Sequence, residues 1–281
     1  MLASRTEAQS QPRGGQPPAV QFEHVALAFD DDVVLRDVSF SIPVGGMTVL
    51  LGASGSGKSL ILKMILGLMR PDSGTIHING VRTDNMPEAE LMKLRPDIGM
   101  LFQEGALFDS LTVAENVGYR LIEEMGMPLD EARRHVEEVL GFIGLAEYLD
   151  RFPSELSGGQ RRRVAIGRAV AAKPRLVLFD SPTTGLDPIT AKTVDREVIK
   201  LRDLQQVTSM LVTHDLNDAF YTAAHRAVQQ QDGQIVIVPA DADKADDARF
   251  MVLKDGRIYF EGSAAELKAS TDPYLKRYLK D

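Results

Sequence analysis

The chain has 281 residues, of which 44% are hydrophobic, enough for one large domain or two small ones. Its formal charge of −8 argues against a dedicated nucleic-acid surface, and the lack of cysteine excludes disulfides and thiolate metal sites. No apolar run reaches the ~18–20 residues of a membrane span, and no signal-peptide core follows Met1. The sequence therefore indicates a soluble, cytoplasmic protein, for which any membrane role would need a partner.

Taken in chain order, residues 1–19 are rich in Gln, Pro, Gly, Ser and Ala, and they predict a disordered tail. Strands are predicted from Val20 onward, and the short buried strand MTVLLG (47–52) leads through a Gly-rich loop into a helix from about Lys58 to Leu68. Later strands are IGMLF (98–102), RLVLFD (175–180) and SMLVT (209–213), separated by helical stretches. This alternation predicts an α/β fold with a mostly parallel sheet covered on both faces.

Three other segments complete the predicted organisation. Residues 104–172 are mostly helical, broken by prolines, and we expect them to form an inserted helical subdomain. Residues 226–248 are less regular and predict an atypical insertion, a β-hairpin arm with a mobile tip. A second hairpin is predicted to turn at Asp255-Gly256, and residues 266–281 are expected to hold a C-terminal helix.

The Gly-rich loop, GASGSGKS (52–59), matches the phosphate-binding pattern G-x-x-x-x-G-K-[ST] in full. Glycines let the backbone curl so that successive N–H groups point at phosphate oxygens, and the following helix adds its positive N-terminal end. An incidental Gly/Ser turn is disfavoured, because a strand precedes the loop and a helix follows it. The candidate nucleotide-binding residues here are Gly52, Ser54, Gly55, Gly57, Lys58 and Ser59.

A metal site is predicted beside this loop. Lys58 can reach the β- and γ-phosphates, and the Ser59 hydroxyl can ligate Mg²⁺. Asp180 ends the buried strand RLVLFD, where a carboxylate holds Mg²⁺, usually through water. A strand-ending turn aspartate is the plainer alternative for Asp180, and the phosphate-binding loop upstream disfavours it.

The segment LSGGQ (156–160), followed by RRRVAIGRAV, closely resembles the signature of ABC ATPases. The resemblance implies a P-loop NTPase cassette with a mixed β core, an inserted helical subdomain and an N-terminal antiparallel β subdomain. It also implies ATP and Mg²⁺ as ligands, and a head-to-tail homodimer, or heterodimer with another ABC ATPase, around two ATP molecules. In such a dimer the signature contacts the γ-phosphate held by the opposite subunit. The matching residues are Ser157, Gly158, Gly159 and Gln160.

Other landmarks of the ABC family follow in order. Gln103 matches the Q-loop glutamine, a Mg²⁺ and water contact that responds to the membrane partner. Asp187, in Gly185-Leu186-Asp187, matches the D-loop. His214 matches the switch histidine that contacts the γ-phosphate, and Phe29 matches the aromatic residue that stacks on adenine.

One position departs from the family pattern. The residue after Asp180 is normally the glutamate that activates the attacking water, and here it is Ser181. Losing such a group typically costs about 10²–10⁴-fold in rate. The chain is thus expected to hydrolyse ATP slowly, to use His214 or a nearby carboxylate, to pair with an active partner, or to be a trapping variant.

The stretch GMLFQEGALFDSLTVAENVGYRL (99–121) resembles the ATPases of the MlaF/Mkl group. That resemblance implies lipid transport with an MlaE-like permease docked near 99–121, an MCE-domain protein and accessory proteins, and a location on the inner face of the cell membrane. The alternatives are an importer for another small substrate, a permease-free ABC protein of translation or DNA repair, and a regulatory module that binds ATP without turnover. The apolar GALF segment also fits helical-subdomain core.

Overall fold

The computed structural model describes residues 16–241 and 248–280. Its centre is a six-stranded sheet, parallel except for one edge strand. The inner strands are almost wholly buried, as expected for parallel strands covered on both faces. In spatial order the strands are β12 (Arg257–Ser263), β11 (Ala248–Lys254), β3 (Met47–Gly52), β8 (Thr208–Thr213), β7 (Leu176–Asp180) and β6 (Ile98–Leu101).

A second, antiparallel sheet lies near the N-terminus of the described chain. Its strands, in order, are β2 (Asp32–Ile42), β1 (Val20–Phe29), β4 (Ser73–Ile78) and β5 (Val81–Arg82). One apolar cluster joins its inner face to helix α1 (Lys58–Ile65) and to the central sheet. The predicted tail falls mostly outside the described residues. Its last residue, Ala19, is buried, and its N–H donates to the Ile42 carbonyl oxygen at 2.8 Å, next to the pairing of β1 with β2.

The opposite face of the central sheet carries a second apolar cluster, and a third lies among the helices beyond it. The third cluster contains residues of α3 (Val113–Glu123), α4 (Leu129–Phe142) and α5 (Gly158–Val170), and the apolar positions of α3 and α4 recur at helical spacing. Further helices of the chain are α2 (Glu88–Leu94), α6 (Pro188–Gln205) and α7 (Leu216–Ala224).

The predicted arm at 226–248 contains an antiparallel hairpin of β9 (His225–Gln229) and β10 (Ile235–Pro239). Residues 242–247 of that segment lie outside the described residues. The second predicted hairpin is confirmed, with Asp255 and Gly256 both at positive φ, as a two-residue turn between twisted strands requires. At the C-terminal end, helix Pro273–Tyr278 follows a second short helix, Ala264–Ala269.

Two predicted boundaries are wrong by a few residues. Helix α1 ends at Ile65, earlier than the predicted Leu68, because the chain turns at Gly67 with a φ of 65°. Strand β6 stops at Leu101, which leaves Phe102 outside the ladder. Over residues 16–241 and 248–280, no helix combines the length and apolarity needed to cross a bilayer.

Candidate functional site

The phosphate-binding loop joins the buried strand β3 to the N-terminus of α1. Gly55 and Gly57 have φ values of 77° and 100°, in the left-handed region that favours glycine. A side chain at Gly52 would lie 2.8 Å from the Leu253 carbonyl oxygen, since β11 runs directly beside this strand. Ser54 and Ser59 are exposed, so the loop presents both hydroxyls to solvent.

Lys58 is buried against this loop. Its Nζ donates to the carbonyl oxygens of Gly52 and Ala53, both at 2.8 Å. Burial lowers the pKa of the Lys58 ammonium, and the negative charge of Asp180 acts against that shift. The ammonium therefore lies within electrostatic reach of Asp180, which ends β7 and is 8% exposed. The structure thus brings the phosphate-binding loop and the predicted metal carboxylate together.

These residues fit a magnesium–nucleotide complex by the chemistry of their donor atoms. Mg²⁺ takes oxygen ligands and is usually held by one or two protein oxygens plus phosphates and water. Ser59 offers an exposed hydroxyl at the start of α1, and Asp180 offers a carboxylate whose charge reaches Lys58. The loop supplies backbone N–H groups and one ammonium for the phosphates.

Ser181 lies directly beyond Asp180 in an unusual backbone conformation. Its φ is 46°, and its N–H donates to the Val212 carbonyl oxygen at 2.7 Å. The side chain is 6% exposed, so position 181 is an inward-facing site. A serine hydroxyl at an ordinary pKa is a poor proton acceptor, which limits what this position does in hydrolysis.

His214 follows strand β8 and is exposed. The next residue, Asp215, caps helix α7 by accepting from the backbone N–H groups of Asn217 and Asp218. His214 therefore projects from the short connection between a buried strand and a capped helix. Strand β8 lies between the parallel strands β3 and β7. His214 therefore lies at the same end of the sheet, where these strands have their carboxyl termini, as the phosphate-binding loop and Asp180.

The signature residues open helix α5. Ser157 is the N-cap, and its side chain forms a reciprocal capping box with Gln160. The Gln160 side chain is thereby used within its own helix. The first-turn N–H groups of Gly158 and Gly159 have no intrahelical acceptor and form a positive helix end. A Cβ added at Gly158 or Gly159 would first meet Leu186 of the D-loop or Thr190 of α6, respectively.

Asp187 also caps a helix. Its Oδ1 accepts from the N–H groups of Ile189 and Thr190, each at 3.1 Å, at the start of α6. Hydrogen bonds, first from the Thr190 side chain and then from its backbone, lower the pKa of the Asp187 carboxyl. A local capping function is therefore present at this D-loop position.

Arg162 links three of the predicted loops, and the motif search did not single it out. This buried arginine on α5 donates to the carbonyl oxygens of Phe102 at 3.2 Å and Thr184 at 3.3 Å. Phe102 precedes Gln103, which is exposed, and Thr184 precedes the D-loop. The signature helix is thus tied to both segments by one guanidinium.

The segment after Gln103 presents aromatic side chains to solvent. Phe108 is 43% exposed, and its ring lies tilted against that of Tyr119, which is 38% exposed, with 4.8 Å between the ring centroids. The loop backbone is held from below, where the buried Asn116 amide donates to the Phe108 carbonyl and Arg168 donates to those of Gly105 and Ala106. These contacts make the aromatic surface a supported feature of the fold.

A cleft of about 750 Å³ runs along the outer side of the phosphate-binding loop. Its walls include Val33 and Val34 of β2, the turn between β11 and β12, and Tyr274 of the C-terminal helix. Phe29, at 47% exposure, is not part of its lining. No sequence motif marks Tyr274 or Val33, because distant segments meet here only after the sheet has formed.

The sequence of the chain is similar to those of known proteins. Residues 35–184 match the family model described as ABC transporter. The methionine import ATP-binding protein MetN of Corynebacterium jeikeium is 39% identical over 72% of this chain and 54% of its own length. The probable ribonucleotide transport ATP-binding protein mkl of Mycobacterium tuberculosis is 37% identical over 74% of this chain and 60% of its own. This chain therefore spans little more than half the length of these curated relatives.

A solved structure extends the similarity to the fold. The dimeric ATP-binding cassette MJ0796, in a post-hydrolysis state bound to ADP and Pi, superposes with a TM-score of 0.71 at 31% identity. The match covers 87% of this chain and 98% of that one. With a family model over half the chain and a shared α/β architecture, the chain belongs to the ABC transporter family and carries its ATP-binding ATPase cassette.

Proposed function

We propose that this chain is the ATP-binding subunit of a lipid-moving ABC transporter, that it pairs around two Mg²⁺-ATP, and that it drives an MlaE-like permease. The observation that carries the ATP part is the meeting of Lys58, Asp180 and the positive-φ glycines at one edge of the sheet. Lys58 exchanges its loop carbonyls for phosphate oxygens, while Ser59 and Asp180 hold the metal. Mg²⁺ supplies charge neutralisation at the phosphates when it is bound.

The pairing follows from where the signature lies. Ser157 and the two glycines after it form a positive helix end whose neighbours are α6 and the D-loop. Such an end binds anions, and in the proposed pair it contacts the phosphate held by the second subunit. ATP with Mg²⁺ is expected to convert monomers to dimers in sedimentation velocity. Lys58→Met abolishes that shift, whereas Lys63→Met, on the exposed side of the same helix, leaves it intact.

The permease proposal depends on the aromatic surface of Phe102, Phe108 and Tyr119, which we call the aromatic docking surface. All three residues are at least 36% exposed. Phe102 directly precedes Gln103, and the rings of Phe108 and Tyr119 are in contact, so a bound partner would be coupled to the nucleotide site through a few residues. An amphipathic helix of the permease fits such a surface by its apolar face. The lipid assignment is supported by the sequence of 99–121 and its resemblance to the Mla/Mkl group.

Co-purification and lipid transfer test these two parts separately. Phe108→Ser is expected to release the permease without altering ATP affinity, while Met92→Ser, at an exposed position on α2, serves as the matched control. The reconstituted complex is expected to move a fluorescent phospholipid between vesicles in an ATP-dependent manner. Uptake of a small solute with no lipid movement would replace the lipid proposal with an importer.

Ser181 favours a second candidate, a cassette that binds ATP and pairs but turns over slowly. The position is buried and carries no carboxylate. Under this proposal the isolated chain releases phosphate slowly, and an MCE-domain protein or a second ABC ATPase completes the active assembly. Phosphate release at an ordinary enzymatic rate by the isolated chain would exclude it.

A further inference from the structure

Three buried polar side chains from three different elements meet behind the candidate site. They are Thr183, in the segment after β7, Asp195 on α6, and Asp218 on α7, which are 6%, 1% and 8% exposed. The Thr183 hydroxyl donates to Asp218 Oδ2. The carboxyl groups of Asp195 and Asp218 lie within hydrogen-bonding reach of each other. We call these residues the carboxyl clasp.

The two carboxyl groups hold a proton between them. Two carboxylates in direct contact in a buried site cannot both be ionised, so one of them remains neutral. Asp195 is the more buried of the two, and its Oδ1 has no hydrogen-bond partner among the described residues. Such an oxygen is less costly to bury on a neutral carboxyl than on a carboxylate. Asp218, which accepts from Thr183, is therefore the anion, and Asp195 is its donor.

The charges around the clasp agree with this assignment. Burial, followed by the charge of Asp218, raises the pKa of Asp195 to about 8, and Asp215 from the connection before α7 adds to the shift. Lys192, one turn earlier on α6, acts in the opposite direction. Burial also raises the pKa of Asp218, the hydrogen bond from Thr183 opposes that shift, and Asp215 and His214 contribute with opposite signs.

Each member of the clasp belongs to an element that begins or ends at a residue of the candidate site. Thr183 follows Ser181 by two residues, Asp195 lies on the helix that Asp187 caps, and Asp218 lies on the helix that begins just after His214. We propose that Asp195 and Asp218 are positioning residues, whose shared proton holds the Ser181 segment, the D-loop helix and the switch-histidine helix in register for ATP turnover. This inference rests on the proposed function, and neither carboxyl group touches nucleotide.

Loss of the proton has a defined consequence. Above the pKa of Asp195 the clasp holds two adjacent buried negative charges, which repel and loosen α6 from α7. A carboxyl group with a raised folded-state pKa contributes stability that is complete at acidic pH and declines as the pH rises to that pKa. The turnover number should therefore fall between about pH 7 and pH 9, and the melting temperature should fall from about pH 4, the ordinary pKa of a carboxyl group, to about pH 8. ATP affinity at the phosphate-binding loop is expected to change little.

The test compares the full-length chain with Asp195→Asn, whose amide donates to Asp218 at every pH. The wild type is expected to lose about tenfold in kcat at pH 9, as a group of pKa about 8 predicts, while the Asn variant stays within about twofold of its neutral value. The melting temperature of the wild type should decline between about pH 4 and pH 8 relative to that of the variant. Asp203→Asn, a carboxylate on the same helix paired with Arg202, is the control that keeps the wild-type profile.

Asp218→Asn provides a second variant if Asp195→Asn fails to fold, because it also leaves one carboxyl group in the clasp. If a folded clasp variant keeps both the wild-type decline in kcat towards pH 9 and the wild-type decline in melting temperature towards pH 8, the proposal is overturned. A variant that loses only the melting-temperature slope, with the wild-type kcat profile, shows a merely structural contact and also overturns it. If ATP does not bind at all, the proposed function fails, while the melting curves still test the shared proton.

Discussion

Position 181 shows how much a single residue decides in this cassette. Ser181 is buried, its φ is 46°, and its N–H is fixed to the Val212 carbonyl. The left-handed backbone is already adopted by a residue with a Cβ, so a longer side chain adds little further backbone strain there.

Ser181→Glu is therefore expected to restore a general base and to raise steady-state phosphate release by about 10²–10⁴-fold. Ser181→Gln, which has the same shape and no charge, should leave the rate near that of the wild type. Equal rates for all three proteins would mean that another group activates the attacking water.

Gly57 shows a steric requirement at the same scale. A Cβ at this residue would lie 3.0 Å from Leu35 Cδ2 and 3.2 Å from Val34 Cγ1, at a φ of 100°. Gly57→Ala is expected to lower the free energy of unfolding by roughly 1–2 kcal/mol, measured by urea denaturation. Gly141→Ala is the comparison, since nothing lies within 4 Å of its new methyl group in helix α4 and alanine favours the helix.

Motif spacing identified the residues whose chemistry is local, such as the phosphate-binding loop, because eight consecutive residues contain its geometry. It did not predict the helix-capping contacts of Gln160 and Asp187, because the motifs predict only that these residues contact nucleotide. Arg162 and Asp195 were missed altogether. Their partners are 22 to 60 residues away in sequence, and no short pattern encodes such contacts.

Helix packing explains one of the signature glycines at the scale of elements. A Cβ at Gly159 would lie 2.2 Å from Thr190 Cγ2, so the first turn of α5 approaches α6 more closely than any side chain permits. At Gly158 the nearest atom, Leu186 Cδ2, is 3.3 Å away. The second glycine of the pair is therefore a spacer between helices, in addition to any contact it makes with phosphate.

Gly159→Ala is expected to destabilise the chain by roughly 1–3 kcal/mol through overpacking, and Gly158→Ala by less. Adding Thr190→Ser, which removes Cγ2 and keeps the hydroxyl, should recover most of the loss in a urea titration. A double variant no more stable than Gly159→Ala would show that α6 is not the source of the constraint.

Elements with strong local signals were predicted well. Strand β3 and the hairpin at Asp255-Gly256 agree with the periodicity and turn chemistry of their own residues. The C-terminal end was less predictable, since Ala264–Ala269 and Pro273–Tyr278 are only six residues each and are stabilised by packing on the sheet. The assignment of residues 20–265 to one ABC domain, with 104–172 as its inserted subdomain, stays a prediction.

At the scale of the whole molecule, the aromatic docking surface and the nucleotide site are connected by the chain itself. Strand β6 leads into Phe102 and Gln103, and Arg162 ties that segment to the residues after Asp180. A partner bound at Phe108 would therefore contact a segment whose backbone carbonyl groups accept hydrogen bonds from Arg162 and Arg168 of the signature helix. This arrangement gives a physical route by which the proposed permease would influence ATP turnover.

Strand β3, which carries the phosphate-binding loop, is bordered by β8 and β11, strands made about 160 and 200 residues later. During synthesis the residues of the loop are therefore made long before the two strands that flank β3. Strand pairing between segments so far apart in sequence forms slowly. Ribosome-bound chains arrested before Ala248 has emerged are expected to be poorly labelled by a photoreactive ATP analogue, and those arrested well beyond Ser263 to be labelled strongly. We therefore expect the nascent polypeptide to bind chaperones until its last strands have been made.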